Sequence, residues 1–145
     1  MHPEALAFLG QNRVCVIAIE MPDGSPHAST VHYAHTNDAD GPILLFETDK
    51  RYRKAEALFA RPVPRASISI GFTEGPDCKT LQMDGEASLI ENTDPRVHEI
   101  YLAKFPEKVE KYKGPDVIFF QFKPTWWRFT DWTKPRGKTI FASTD

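Results

Sequence analysis

At 145 residues the chain has the size of one domain, long enough to bury roughly two thirds of its unfolded surface around a single core. With 41% hydrophobic and 26% charged residues it reads as a soluble globular protein, and a formal net charge of -2 gives no electrostatic reason to expect nucleic acid as a partner. No window approaches the roughly 20 apolar residues of a membrane span, and the N-terminus lacks a basic region followed by an apolar core, so a cytoplasmic protein without a membrane partner is expected.

Pro3 to Gln11 can form a short helix, and Arg13 to Ile19 follows as an apolar strand with both faces expected to be buried. Pro22-Asp23-Gly24-Ser25 signals a turn into a second strand, Pro26 to His35, so the two are expected to pair as an antiparallel hairpin. In that second strand Ala28, Thr30, His32 and Ala34 share one face, while Ser29, Val31, Tyr33 and His35 share the other. Small polar residues there either line a ligand or mark an edge strand facing water.

Ile43 to Thr48 is a third strand, with Thr48 or Asp49 as the N-cap of a helix starting near Lys50; Tyr52, Ala55, Leu58 and Phe59 recur at helical spacing. The first turns of this helix carry Lys50, Arg51, Arg53 and Lys54, where the macrodipole is already positive and each exposed cation costs roughly 0.3 to 1 kcal/mol. A bound anion, most simply a phosphate, would offset that cost; a solvated basic surface is the alternative. Pro62 and Pro64 stop the helix.

Arg65 to Phe72 alternates as a strand, with Ala66, Ile68, Ile70 and Phe72 inward. Lys79 to Ile90 is a longer strand whose central Asp84-Gly85 predicts a bulge or bend. Asp94-Pro95 begins a helix with Val97, Ile100 and Tyr101 on one face, and Pro106 begins a shorter one. Asp116 to Phe129 is a final, aromatic-rich strand, with Trp132 shortly after it. Six main strands with singly inserted helices predict a mainly β protein, a mostly antiparallel barrel with peripheral helices.

No phosphate-cradling glycine loop, nucleophile elbow or His-Glu-x-x-His helix occurs. His27, His32 and His35 do not converge along a strand, and Cys15 and Cys78 have no metal or redox spacing, so no metal site is expected. Glu20, Asp23, Asp84 and Glu86 have structural explanations.

Four stretches carry a resemblance. Pro26 to Tyr33, Phe46 to Leu58, Pro64 to Gly71 and Leu81 to Ala87 resemble, in order and spacing, the pyridoxamine 5'-phosphate oxidase-like flavin-binding split barrels. The resemblance implies a six-stranded antiparallel split β-barrel that forms a homodimer with FMN at the subunit interface. It puts the isoalloxazine edge against Ser29, Thr30 and Val31, the ribityl phosphate on Thr48, Asp49, Arg53 and Lys54, and Gln82 near the ring, where many members have a basic residue. It also has Trp127, or its neighbour Trp126, covering the flavin from the partner subunit. The tail from Lys134 lacks the Arg-x-His element of the true pyridoxamine phosphate oxidases, so oxidation of that substrate is not expected. What remains is an FMN-dependent oxidoreductase acting on an unidentified small molecule. The alternatives are a flavin- or haem-binding stress-response module without turnover and a reductase using the deazaflavin F420.

Overall fold

The computed structural model of the protein describes residues 1–135 and 137–144. Helix α1 (Pro3–Gln11) leads into β1 (Val14–Glu20), β2 (Pro26–His32), β3 (Ala34–His35) and β4 (Leu44–Asp49), followed by α2 (Arg53–Ala60). Strands β5 (Arg65–Gly71) and β6 (Lys79–Ile90) come next. A helical segment comprises a π-helical turn at Val97–Leu102, a 3-10 turn at Pro106–Lys108 and α3 (Val109–Tyr112), before β7 (Val117–Asp131) and β8 (Thr139–Ala142). Among the described residues no helix is long and apolar enough to cross a membrane.

All eight strands join one antiparallel sheet in the order β2-β1-β5-β6-β7-β4-β3, with β8 also on β7. The length of β7 makes this possible: one edge follows β6 from Phe119 to Asp131, while the other takes β4 along Val117 to Phe122 and β8 along Arg128 to Asp131. The sheet curls into a split barrel, as expected, but with eight strands rather than six. The additions are β8, in a tail too short and mixed to show alternation, and β3, which is separated from β2 at Tyr33. There the Tyr33 N–H turns to the Arg13 carbonyl and its hydroxyl donates to the Leu9 carbonyl at 2.6 Å.

The barrel interior holds Cys15, Ile17 and Ile19 of β1, Ile68 and Ile70 of β5, Leu81 and Met83 of β6, and Phe46 stacked on Phe120 with ring centroids 4.8 Å apart. Burial pushes the Cys15 thiol up to about 12, leaving it inert. A smaller cluster lies on the opposite face of β4 and β7, where Val97, Tyr101, Leu102 and Phe105 of the helical segment cover Leu45 and Phe119. The π turn changes the expected contact face from Val97, Ile100 and Tyr101 to Val97, Tyr101 and Leu102, because its wider winding carries Ile100 towards the rim.

Three expected burials are corrected. Only one face of β1 is covered, so Val14 and Val16 are exposed on the outer face of the sheet. Phe72 is 76% exposed, because Gly71 adopts φ +95 and ends the alternation. In α2 the buried face is Lys54, Ala55, Ala57 and Leu58, while Tyr52 and Phe59 face outward.

The bend at Asp84-Gly85 is present, with the extra residue on the facing strand: Asp84 pairs with Trp126 and Gly85 with Pro124, leaving Thr125 unpaired. A Cβ on Gly85 would lie 2.2 Å from the Lys123 carbonyl oxygen, a backbone atom that cannot step aside alone. Gly85→Ala is therefore expected to cost about 1 to 3 kcal/mol in a denaturant melt through forced separation of β6 and β7.

The turn end of the β1–β2 hairpin is tied to the rest by Glu20, which accepts from Arg65 Nε at 2.7 Å and pairs with Arg61 at 3.0 Å. These guanidinium groups lower its carboxyl to about 2. Because the folded value lies below the unfolded one, the contribution is present above the ordinary carboxylate range and is lost as pH falls through it towards about 2. Glu20→Gln should accordingly lower stability at neutral pH and flatten the acid limb of a stability-against-pH curve measured by chemical denaturation.

Candidate site at the β4–α2 junction

Sequence reading placed four cations at a helix start, and the structure divides them. Asp49 does not cap α2. Its carboxylate accepts from the Arg51 backbone at 2.8 Å and from its guanidinium at 2.9 and 2.6 Å, closing the turn before the helix and holding its own pKa down at about 2. Lys50 pairs with Asp116 at 3.1 Å. The helix begins three residues later than expected, at Arg53, and its N-cap, Tyr52, offers no side-chain acceptor.

Arg53 and Lys54 therefore occupy the first turn of α2, and among the described residues neither has a carboxylate within ion-pair distance. Arg53 points towards solvent near Asp23, whose carboxyl feels its charge. Lys54 is only 8% exposed, and its ammonium lies 4.9 Å from the centre of the Tyr52 ring. Burial lowers its pKa, against the pull of Glu47. With no ion pair among the described residues, an ammonium at an uncapped helix start suits an anion.

Two hydroxyls nearby in the fold share that lack of a partner. Thr48 Oγ1, at the end of β4, and Ser29 Oγ, on β2, are buried without a hydrogen bond. Both stand on the inward face of their strands, Thr48 in line with Leu44 and Phe46, and Ser29 in line with Val31. Strand β2, which carries Ser29, contacts both α2 and β4. Cations, free helix N–H groups and hydroxyl donors form a donor set that fits a phosphate ester.

The remaining predicted residues divide between the two faces of the sheet. Thr30 faces outward on β2, opposite Val16, and Gln82 faces outward on β6, directly opposite Arg128. Gln82, Arg128, Ser67, Ser69, Val16 and Trp126 line a groove of about 400 Å³ on that outer face. Arg128 supplies, from the neighbouring strand, a basic group beside Gln82. Trp127 pairs with Met83 and packs against the barrel interior, so Trp126, not Trp127, shares a face with Gln82.

Residues 1–131 match the sequence profile of the pyridoxamine 5'-phosphate oxidase family. The chain belongs to this family. Among proteins of curated function none matches its sequence. Several solved structures share the family fold at low identity. A pyridoxamine 5'-phosphate oxidase-related FMN-binding protein from Nostoc punctiforme is 17% identical with a TM-score of 0.60, over 100% of this chain and 99% of that one. HutZ, the haem storage protein of Vibrio cholerae, is 20% identical with a TM-score of 0.60, over 85% and 89%. A haem-binding protein from Mycobacterium smegmatis is 14% identical with a TM-score of 0.73, over 99% of this chain but 59% of that longer one.

One charged centre of this family member escaped the sequence reading. Glu47, one residue before Thr48 but on the opposite face of β4, is 5% exposed and lies 3.0 Å from Lys111 and 3.5 Å from Lys108. Lys108 in turn donates to the Tyr101 hydroxyl at 2.9 Å. The available signal was a carboxylate alternating with Leu45 in an otherwise apolar strand, but its lysine partners lie about 60 residues away in the sequence.

Proposed function

We propose that the protein is a homodimeric FMN-binding oxidoreductase acting on a small molecule. The observation that carries this is the pair Arg53 and Lys54 at the uncapped start of α2, neither with a carboxylate in ion-pair distance, with the Thr48 and Ser29 hydroxyls lacking hydrogen-bond partners. In this reading Arg53, Lys54 and Thr48 hold the ribityl phosphate, while Asp49 fixes the preceding turn through Arg51. Ser29, Thr30 and Val31 orient the ring edge, with hydroxyl and strand backbone groups meeting its polar rim. Gln82 supplies an amide from the outer face, and the two tryptophans of β7 are available to shield the ring. Bound FMN supplies reversible hydride or electron transfer, which requires an oriented ring and a dry, open face more than a protein nucleophile.

The dimer is supported by the outer face of the sheet. Val16, Phe72, Trp132 and Ile140, between 39% and 76% exposed, line two grooves that share Ser69, Gln82 and Arg128. An exposed apolar face of this kind is what a second subunit covers.

Haem is the second reading, because two of the proteins with this fold are named for it. His32 is the imidazole that favours it: it is exposed on the outer face, edge-on to Phe105, and its pKa is held below the ordinary value by partial desolvation and by Lys108 and Arg13. Titration of the purified protein with FMN, F420 and haemin separates these readings. The proposal expects FMN to bind most tightly, bound FMN to be bleached by NADH or NADPH, and its colour to return with an added acceptor. Preference for haemin with a sharp Soret band would replace it.

A further inference from the structure

Lys104, just past the π-helical turn, is a half-buried amine that the phosphate site does not use. Its nitrogen lies 4.4 Å from the centre of the Tyr33 ring and donates to the Asn12 backbone carbonyl at 2.6 Å. Among the described residues no carboxylate stands within ion-pair distance of it. Desolvation, aided by the like charge of Arg13, lowers its pKa to about 8. Roughly a tenth of such an amine is neutral at pH 7, against well under a thousandth of an ordinary lysine.

The same side chain lines a cavity of about 380 Å³ between α1, β3 and the helical segment, and His35 lines it too. His35 Nδ1 stands 2.9 Å from the Thr36 carbonyl oxygen, an acceptor, so in the neutral imidazole the hydrogen sits on Nδ1 and Nε2 keeps its lone pair. On the α1 side Gly10 presents no side chain to Nε2, and even a Cβ there would only touch it, at 3.6 Å. Ala34 and Ile100 give the cavity an apolar wall, and Glu99 on its lining disfavours an acidic ligand. A partly neutral amine and an imidazole acceptor in one small cavity are the groups that imine formation uses.

We infer that Lys104 and His35 form a covalent site for small uncharged aldehydes. The neutral Nζ adds to the carbonyl carbon, and His35 Nε2 accepts a proton from Nζ and passes it to the former carbonyl oxygen, giving a carbinolamine. A second transfer of the same kind breaks the C–O bond, releases that oxygen as water and leaves a C=N bond to Lys104. No oxidant or reductant is consumed. The site involves none of the residues of the β4–α2 junction and does not rest on the flavin reading.

Propanal with cyanoborohydride traps such an imine as a stable propylamine, which peptide mass spectrometry places on individual lysines. In the full chain at pH 7, Lys104 should be trapped about tenfold faster or more than Lys113, whose side chain is 64% exposed. His35→Gln should slow trapping at Lys104 about tenfold or more and leave Lys113 unchanged. A thermal melt checks that the variant is folded; if it is not, the comparison of the two lysines in the unaltered protein decides alone. Trapping that follows exposure, with Lys113 ahead of Lys104, overturns the site. An unchanged rate at Lys104 in folded His35→Gln protein overturns its pairing with the imidazole and the inference with it.

Discussion

Replacing Arg53 and Lys54 together with alanine is expected to weaken FMN binding by about 100-fold or more while leaving riboflavin binding within about threefold. The reasoning starts from what surrounds each cation. Lys50 and Arg51 are neutralised by Asp116 and Asp49, so their removal would disturb a turn without uncovering a ligand contact. Arg53 and Lys54 have no such partner among the described residues, so both remain available to an anion at the helix start. Each charged hydrogen bond contributes about 1.5 to 3 kcal/mol, and every 1.4 kcal/mol is tenfold in affinity. The alanine protein should lose little stability without ligand, since neither side chain makes an ion pair among the described residues. Equal losses for FMN and riboflavin would show that the pair supports the fold and does not read a phosphate.

Phe120→Ala should produce the opposite pattern, a large loss of stability that costs both flavins alike. Phe120 is fully buried in the first part of β7, stacked on Phe46 at 4.8 Å and paired with it across the β4–β7 ladder. Truncation leaves a cavity in a close-packed interior and costs about 3 to 5 kcal/mol. For a domain of this size that lowers the melting temperature by about 10 °C or more, measurable by circular dichroism, and removes a large part of an ordinary domain's stability. Because Phe46 lies two residues before Thr48, any loss of ligand binding should follow the fraction unfolded and be restored on cooling. Loss of FMN alone, without a change in melting, would mean that this pair belongs to the site.

The barrel was legible where one face of a strand meets the interior and the other meets water. Arg65 to Ile70 and Leu81 to Ala87 alternate cleanly, and the structure buries the residues so assigned. The hairpin turn at Pro22 to Ser25 and the bend at Gly85 were likewise written in local chemistry. Legibility failed where burial depends on partners distant in the chain. Val14 and Val16 resemble core residues by composition, yet lie on an outer face, because only the sheet's curvature decides which side of β1 is enclosed. Asp49 is an able N-cap by residue type, but Arg51 two positions on claims its carboxylate and moves the helix start to Arg53. The largely buried position of Lys54 was not legible, since helical spacing put Tyr52 and Phe59 on the buried face. The ion-pair centre at Glu47 could not be read locally, because both lysines come from a segment whose path over β4 is fixed by the Tyr101 and Phe105 cluster.

A split-barrel dimer that holds FMN by its phosphate has a simple signature in size-exclusion chromatography of the FMN-equilibrated protein, with light scattering and a visible spectrum recorded across the eluting peak. One peak of about twice the 16.5 kDa chain mass is expected to carry flavin absorbance, with riboflavin left behind in a parallel run. A colourless peak, or one that retains riboflavin as well as FMN, would contradict phosphate-based binding.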